Sequence, residues 1–76
     1  MKLVLIDWVD SVGDGTRWRE LDDIKKDKPV KIRSVGWILA ETKESMTIVA
    51  HLSDSHGQGE MTIPSEAIKK ITVLRK

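Results

Sequence analysis

The segment His51-Leu52-Ser53-Asp54-Ser55-His56 places two imidazoles, two hydroxyls and a carboxylate within six residues, and no other stretch of the chain looks as reactive. Two imidazoles can begin a zinc site, and a serine hydroxyl beside an imidazole can begin a nucleophile. Each needs more than the segment supplies. Zinc needs a third and fourth ligand from elsewhere in the fold, and a nucleophilic serine needs an oriented base and an oxyanion donor. No such partners are legible, so the chain reads as a non-enzyme with no metal and no cofactor. His51 and His56 stay as candidates for ligand contact, beside the plainer reading of an ordinary polar loop.

The chain has three tryptophans and neither phenylalanine nor tyrosine. An indole is a good stacking surface for a base or another ring. Trp18 stands between Arg17 and Arg19, whose guanidinium groups can pair with phosphate while the indole stacks, and Arg33 is a further candidate of the same kind. The plainer reading is that Trp18, three residues before Leu21, anchors a helix on the rest of the fold. Trp8 and Trp37 lie in strand-like runs, where a large aromatic belongs in a core or a subunit interface. Lys25-Lys26-Asp27-Lys28 with Lys31 and Arg33 make one basic strip, and Lys69-Lys70 with Arg75-Lys76 another. Such runs are either solvated ends of elements or an anion-binding surface brought together in an oligomer. A calcium-loop reading through Asp10, Asp14 and Gly15 fails at two ligand positions, which hold Val12 and Leu21.

Residues able to do chemistry must be held by a fold, and 76 residues allow one domain, 1–76, with a thin core. Without cysteine the chain is neither a disulfide scaffold nor a cysteine-ligated zinc module. A small domain lacking such staples gains burial by self-association, so a homo-oligomer is expected. Thirteen basic and twelve acidic side chains give a net charge of +1, with the signs interleaved along the chain. That lowers the expectation of a dedicated nucleic-acid binder, which gathers lysine and arginine into a clear excess. An apolar run such as Leu3-Val4-Leu5-Ile6 is far short of a membrane span, and no signal-peptide core follows Met1-Lys2. The expectation is a soluble, cytoplasmic protein with no membrane partner.

The organising stretch is residues 30–52, two β-rich runs around Glu41-Thr42-Lys43-Glu44, which suits a hairpin. On the first run Val30, Ile32, Ser34, Gly36 and Ile38 share one face, and Gly36 marks a bend or close backbone approach. On the second, residues 45–52, the core face is Met46, Ile48, Ala50 and Leu52. A strand over residues 3–9 precedes them. A helix over about residues 16–26 fits Trp18, Leu21 and Ile24, with Thr16 as its N-cap and lysines at its far end. A polar loop leads to a short strand at residues 60–63, then a single helical turn, Pro64-Ser65-Glu66-Ala67, and a last strand at residues 68–74. The whole reads as mainly β, a small SH3-like or Sm-like barrel of about five strands.

Ile63-Pro64-Ser65-Glu66-Ala67-Ile68 resembles the closing signature of SH3 domains, an apolar residue, Pro-Ser, two variable positions and an apolar residue. Ala67 stands where that family has a tyrosine of its proline-peptide groove, so the resemblance does not imply binding of proline-rich peptides. The helix followed by four strands is similar to the Sm-like proteins, which form RNA-binding rings, but their glycine and asparagine motifs do not stand out here. Trp8-Val9-Asp10-Ser11, Ser34-Val35-Gly36-Trp37, Glu41-Thr42, Ala50-His51-Leu52-Ser53 and Gly59-Glu60-Met61-Thr62-Ile63-Pro64 together resemble a group of small uncharacterised proteins of bacteriophages and prophages. That likeness implies a phage protein in the bacterial cytoplasm and brings no established activity.

The expected function is therefore binding, by a phage-type oligomeric barrel. One form recognises a phosphate-bearing ligand, RNA, DNA or a small nucleotide, through Arg17, Trp18, Arg19, Arg33, His51 and His56. The alternative is a protein-interaction module for a host or phage protein.

Overall fold

The computed structural model describes residues 1–13 and 15–76. In chain order the elements are β1 (Leu3–Asp10), the helical turn α1 (Leu21–Ile24), β2 (Val30–Glu41), β3 (Ser45–Val49), β4 (His51–Leu52), β5 (Gly57–Gln58), β6 (Met61–Pro64), a 3-10 turn (Ser65–Ala67) and β7 (Ile68–Arg75). Five strands form one antiparallel sheet in the order β6-β3-β2-β1-β7, and β4 with β5 makes a separate small hairpin. The protein is mainly β, as its β-branched runs require.

Period-two geometry sends alternate side chains of β1 to opposite faces, and Val4, Ile6 and Trp8 are the buried set. Antiparallel pairing puts them opposite Gly36, Ser34 and Ile32 of β2, so the face expected for β2 is its core face. Met46 and Ile48 of β3 and Ile63 of β6 complete the buried cluster, with Ile32, Ile38, Ala67 and Ile68 packed against it. The 3-10 turn thus joins the two edge strands while pressing Ala67 on the core. β6 and β7 share no ladder among the described residues, so the sheet is open at that seam and is not a closed barrel.

Two elements differ from expectation. The run expected as one strand over 45–52 breaks at Ala50, where the chain leaves β3 for the small hairpin. Ala50 donates to the Gly59 carbonyl at 3.3 Å, and Gly59 sits at a φ of 71°, with room for no more than a hydrogen where a Cβ would come 3.0 Å from Ala50. The break turns Ala50 and Leu52 out of the core and buries Val49 instead. The helix expected over 16–26 shrinks to the four residues of α1, with Glu20 and not Thr16 at the N-cap position and no side-chain cap, and none of its residues is buried. A short helix is marginal in water without a surface to pack on, and α1 has none.

The described residues between β1 and β2, 11–13 and 15–29, therefore form an arm beyond Ile68, the end of β7 opposite Trp8. The chain measures 50 × 23 × 20 Å with a radius of gyration of 15.7 Å, against about 11 Å for a compact chain of this length. Its accessible surface is 6399 Å², roughly 1,700 Å² more than a compact chain of this size exposes.

A Cβ on Gly36 would stand 3.0 Å from both the Ile48 Cβ and the Val49 carbonyl oxygen. Because one of those atoms is backbone, β2 and β3 must separate to admit it. Replacing Gly36 by alanine is expected to cost about 1–3 kcal/mol, read as a fall in the urea midpoint at unchanged slope.

Candidate functional site

The two histidines come together on the small hairpin. His51 is on β4, opposite Gln58 of β5, and Ser53 donates its N–H to the His56 carbonyl at 2.8 Å to close the turn between them. The Ser53 Oγ accepts from the His56 N–H at 3.1 Å, and the Ser55 Oγ lies 2.8 Å from the His56 Nδ1. Both hydroxyls are thus engaged in local turn bonds of the kind serine makes in loops. His51 and His56 border one shallow depression of about 240 Å³ with Leu52, Ser53, Gly57 and Gln58, all of them exposed. No carboxylate lines it, and no group of three potential metal ligands occurs among the described residues. Asp14, which the calcium-loop reading requires, lies outside the described residues.

Trp18 does not anchor a helix. It is fully exposed, on the arm, and Leu21 (74%) and Ile24 (44%) are exposed beside it in α1. Arg17 and Trp18 share a small depression with Gly15 and Thr16. Arg19 is committed elsewhere: its two Nη atoms donate to the two carboxylate oxygens of Asp27 at 2.9 and 3.1 Å, a bidentate fork across the helical turn. Those hydrogen bonds, helped by the opposite charge and opposed by partial burial, hold the Asp27 carboxyl below the usual carboxylate range. The hydrogen bond and charge of Asp27 in turn raise the Arg19 guanidinium.

At the base of the arm, where β1 and β2 run on past β7, lies a groove of about 490 Å³ with an almost wholly apolar wall. Val9 borders it on the outer face of β1, while Trp8 and Ile32, which also border it, turn their side chains to the core. Lys31, Arg33 and Lys69 are on its border, and Arg33 is paired with Asp7, whose carboxylate accepts from the Arg33 Nε at 2.8 Å. The Trp8 indole is held by its Nε1–H donating to the Ser34 Oγ at 3.0 Å. Members of the two basic strips thus meet within one chain, because β2 and β7 flank β1. The strand register, rather than any local motif, carries that information.

The six residues singled out from the sequence divide among three places. His51 and His56 sit on the hairpin, Arg17, Trp18 and Arg19 on the arm, and Arg33 at the groove. Trp37 is half-buried on the outer face of the sheet, opposite Leu3 and Val49, with Leu5 paired to the exposed Val35 beside it. In comparisons with known protein families, curated proteins and solved structures the chain matches none, so its surfaces are read from their own geometry.

The Asp27 shift fixes the sign of a pH effect. A carboxyl held low contributes order that is present above its ordinary range and lost as pH falls through the lowered value. Backbone order parameters of residues 16–27, measured by nitrogen-15 relaxation, should hold through the range where free carboxylates protonate and fall only below it. In Asp27→Asn they should be low already at neutral pH and should no longer change on acidification.

Proposed function

We propose that the chain is a non-enzymatic binding module, an open-sheet relative of the SH3-like or Sm-like small barrels, that engages a protein partner through its arm. The sheet order, with a single 3-10 turn between the two edge strands, supports the barrel reading. One observation carries the functional reading: Trp18 is wholly exposed on an element that projects from the sheet. An indole left in water forgoes about 2–3 kcal/mol of burial, and tryptophan is the residue most enriched among binding hot spots. Of the two arginines that flank this indole, Arg19 is already forked onto Asp27.

A second reading, recognition of a phosphate-bearing ligand such as RNA, DNA or a nucleotide, draws its support from Lys31, Arg33 and Lys69 on the border of the groove. The short-motif likeness to phage and prophage proteins supplies the setting for both readings, a bacterial cytoplasm, and for the first reading a host or phage protein as the partner.

Trp18→Ala removes only exposed surface, so it should leave the stability within about 0.5 kcal/mol of the parent while abolishing partner capture. A photo-reactive residue placed at position 18 in the whole chain should cross-link one discrete protein in bacterial cells, and the same residue placed at Lys43 should not. Binding of a single-stranded oligonucleotide that weakens steeply with salt and survives Trp18→Ala would favour the groove and the phosphate reading instead.

A further inference from the structure

The sheet sorts charges that are interleaved along the sequence. The outward positions of β1 and β2 pair Leu3 with Trp37, Leu5 with Val35 and Asp7 with Arg33, and Lys31 stands on the same face opposite Val9. From the other side β7 sets Lys70 beside Asp7 and Arg75 beside Leu3. Four cations thus share one face with a single carboxylate among its paired positions. That face is net +3 in a chain whose total is +1, which leaves the remainder at −2. Asp7 engages only the Nε of Arg33, whose side chain is 71% exposed. The middle of the face is apolar, with Val35 exposed and Trp37 half-buried.

We propose that the outer face of β1, β2 and β7 holds a single-stranded nucleic acid, with phosphates on Lys31, Arg33 and Lys70 and a base stacked on Trp37. This rests on the phosphate reading, to which it gives a surface and a ligand class, and it does not involve the arm. Charge complementarity selects a polyanion. Eight paired residues make the face roughly 26 Å long, and cations spread from Lys31 to Arg75 suit a chain of phosphates better than one small anion, which needs an enclosed site. The apolar positions decide which polyanion it is. A single strand carries a flat ring beside every phosphate, which matches an indole set among cations, whereas an acidic peptide has no ring tied to its charges. A duplex keeps its base faces inside the stack, out of reach of Trp37, and a broad sheet face does not enter its grooves.

Fluorescence anisotropy of labelled oligothymidylate and oligouridylate of about twelve nucleotides, titrated with the whole chain at about 50 mM salt, tests this. Circular-dichroism melts confirm that each variant is folded. One or both oligomers should bind at about 10 μM or tighter, with a log–log salt slope near about −3 for four phosphate contacts. Lys31→Glu with Lys70→Glu should weaken binding at least about tenfold and flatten the slope by about 1.4. Trp37→Leu should weaken it about fivefold or more. Lys26→Glu with Lys43→Glu makes the same change in net charge at exposed positions off the face, and should cost less than about threefold. Equal losses from the two charge pairs overturn the proposal, as does equal affinity for a duplex of the same length. It is also overturned if neither oligomer binds up to about 100 μM. In that case a dimer dissolved by Val35→Asp assigns the face to a second copy instead. If an oligomer binds but ignores the changes at Lys31, Lys70 and Trp37, the phosphate reading stands and only this surface is excluded. If neither the oligomers nor a nucleoside triphosphate bind, both fall.

Discussion

Strand β1 is hydrogen-bonded along both edges, to β2 and to β7, and the side chains it turns inward, Val4, Ile6 and Trp8, are the middle of the core. A strand so placed fixes what its neighbours can carry. Directly opposite Val4 and Ile6, β2 presents Gly36 and Ser34, so large residues on one strand face small ones on the next. The missing Cβ of Gly36 lets β3 close to van der Waals limits over it, bringing Ile48 and the Val49 carbonyl into the space. Ser34 has a further role, since its hydroxyl satisfies the Trp8 indole N–H, which would otherwise lose its water without replacement on entering the core.

That packing uses few residues, and the consequence is read on the outside. With seven buried hydrophobic residues, the core leaves more than one surface of apolar side chains uncovered. On the outer face of the sheet Leu3 and Leu5 pair with Trp37 and Val35, and Leu39 is 55% exposed further along β2. On the arm Trp18, Leu21 and Ile24 are exposed together. The two differ in kind. The sheet face is a broad surface of half-buried side chains held by backbone ladders, whereas the arm presents its side chains on a narrow projection that only another molecule or a fold-back can cover.

The sheet was legible from the sequence because its signals are local and repeat: period-two alternation in β1, the polar break at Glu41-Thr42-Lys43-Glu44, and Pro64-Ser65 before the last strand all correspond to observed elements. The inward face of β2 followed from the same alternation. The break at Ala50 was not legible, because it depends on the approach of Gly59 from nine residues away. The helix over 16–26 failed for a different reason. Its spacing of Trp18, Leu21 and Ile24 is amphipathic, but amphipathic spacing builds a helix only where a surface receives the apolar face, and the sequence does not say whether that surface belongs to the same chain. The candidate residues dispersed on the same ground: Arg19 and Asp27 are eight apart and their pairing is tertiary, as is the meeting of Lys31 with Lys69.

The pairing of Arg19 with Asp27 gives the arm a property its exposed residues alone would lack. Between β1 and β2 run nineteen residues, 11–29, of which four among those described are α-helical, and a loop of that length ordinarily samples many conformations. The bidentate fork spans the helical turn from its entry to its exit, and the backbone bonds from Asp23 and Ile24 to Glu20 and from Asp27 to Ile24 run inside it. Trp18 and Leu21 are therefore presented on a closed turn rather than on a free chain, which lowers the ordering cost that any docking event must overcome. Arg19 thus acts on the shape of the arm: its charge is paired with Asp27, and the fork fixes the turn next to the neighbouring indole.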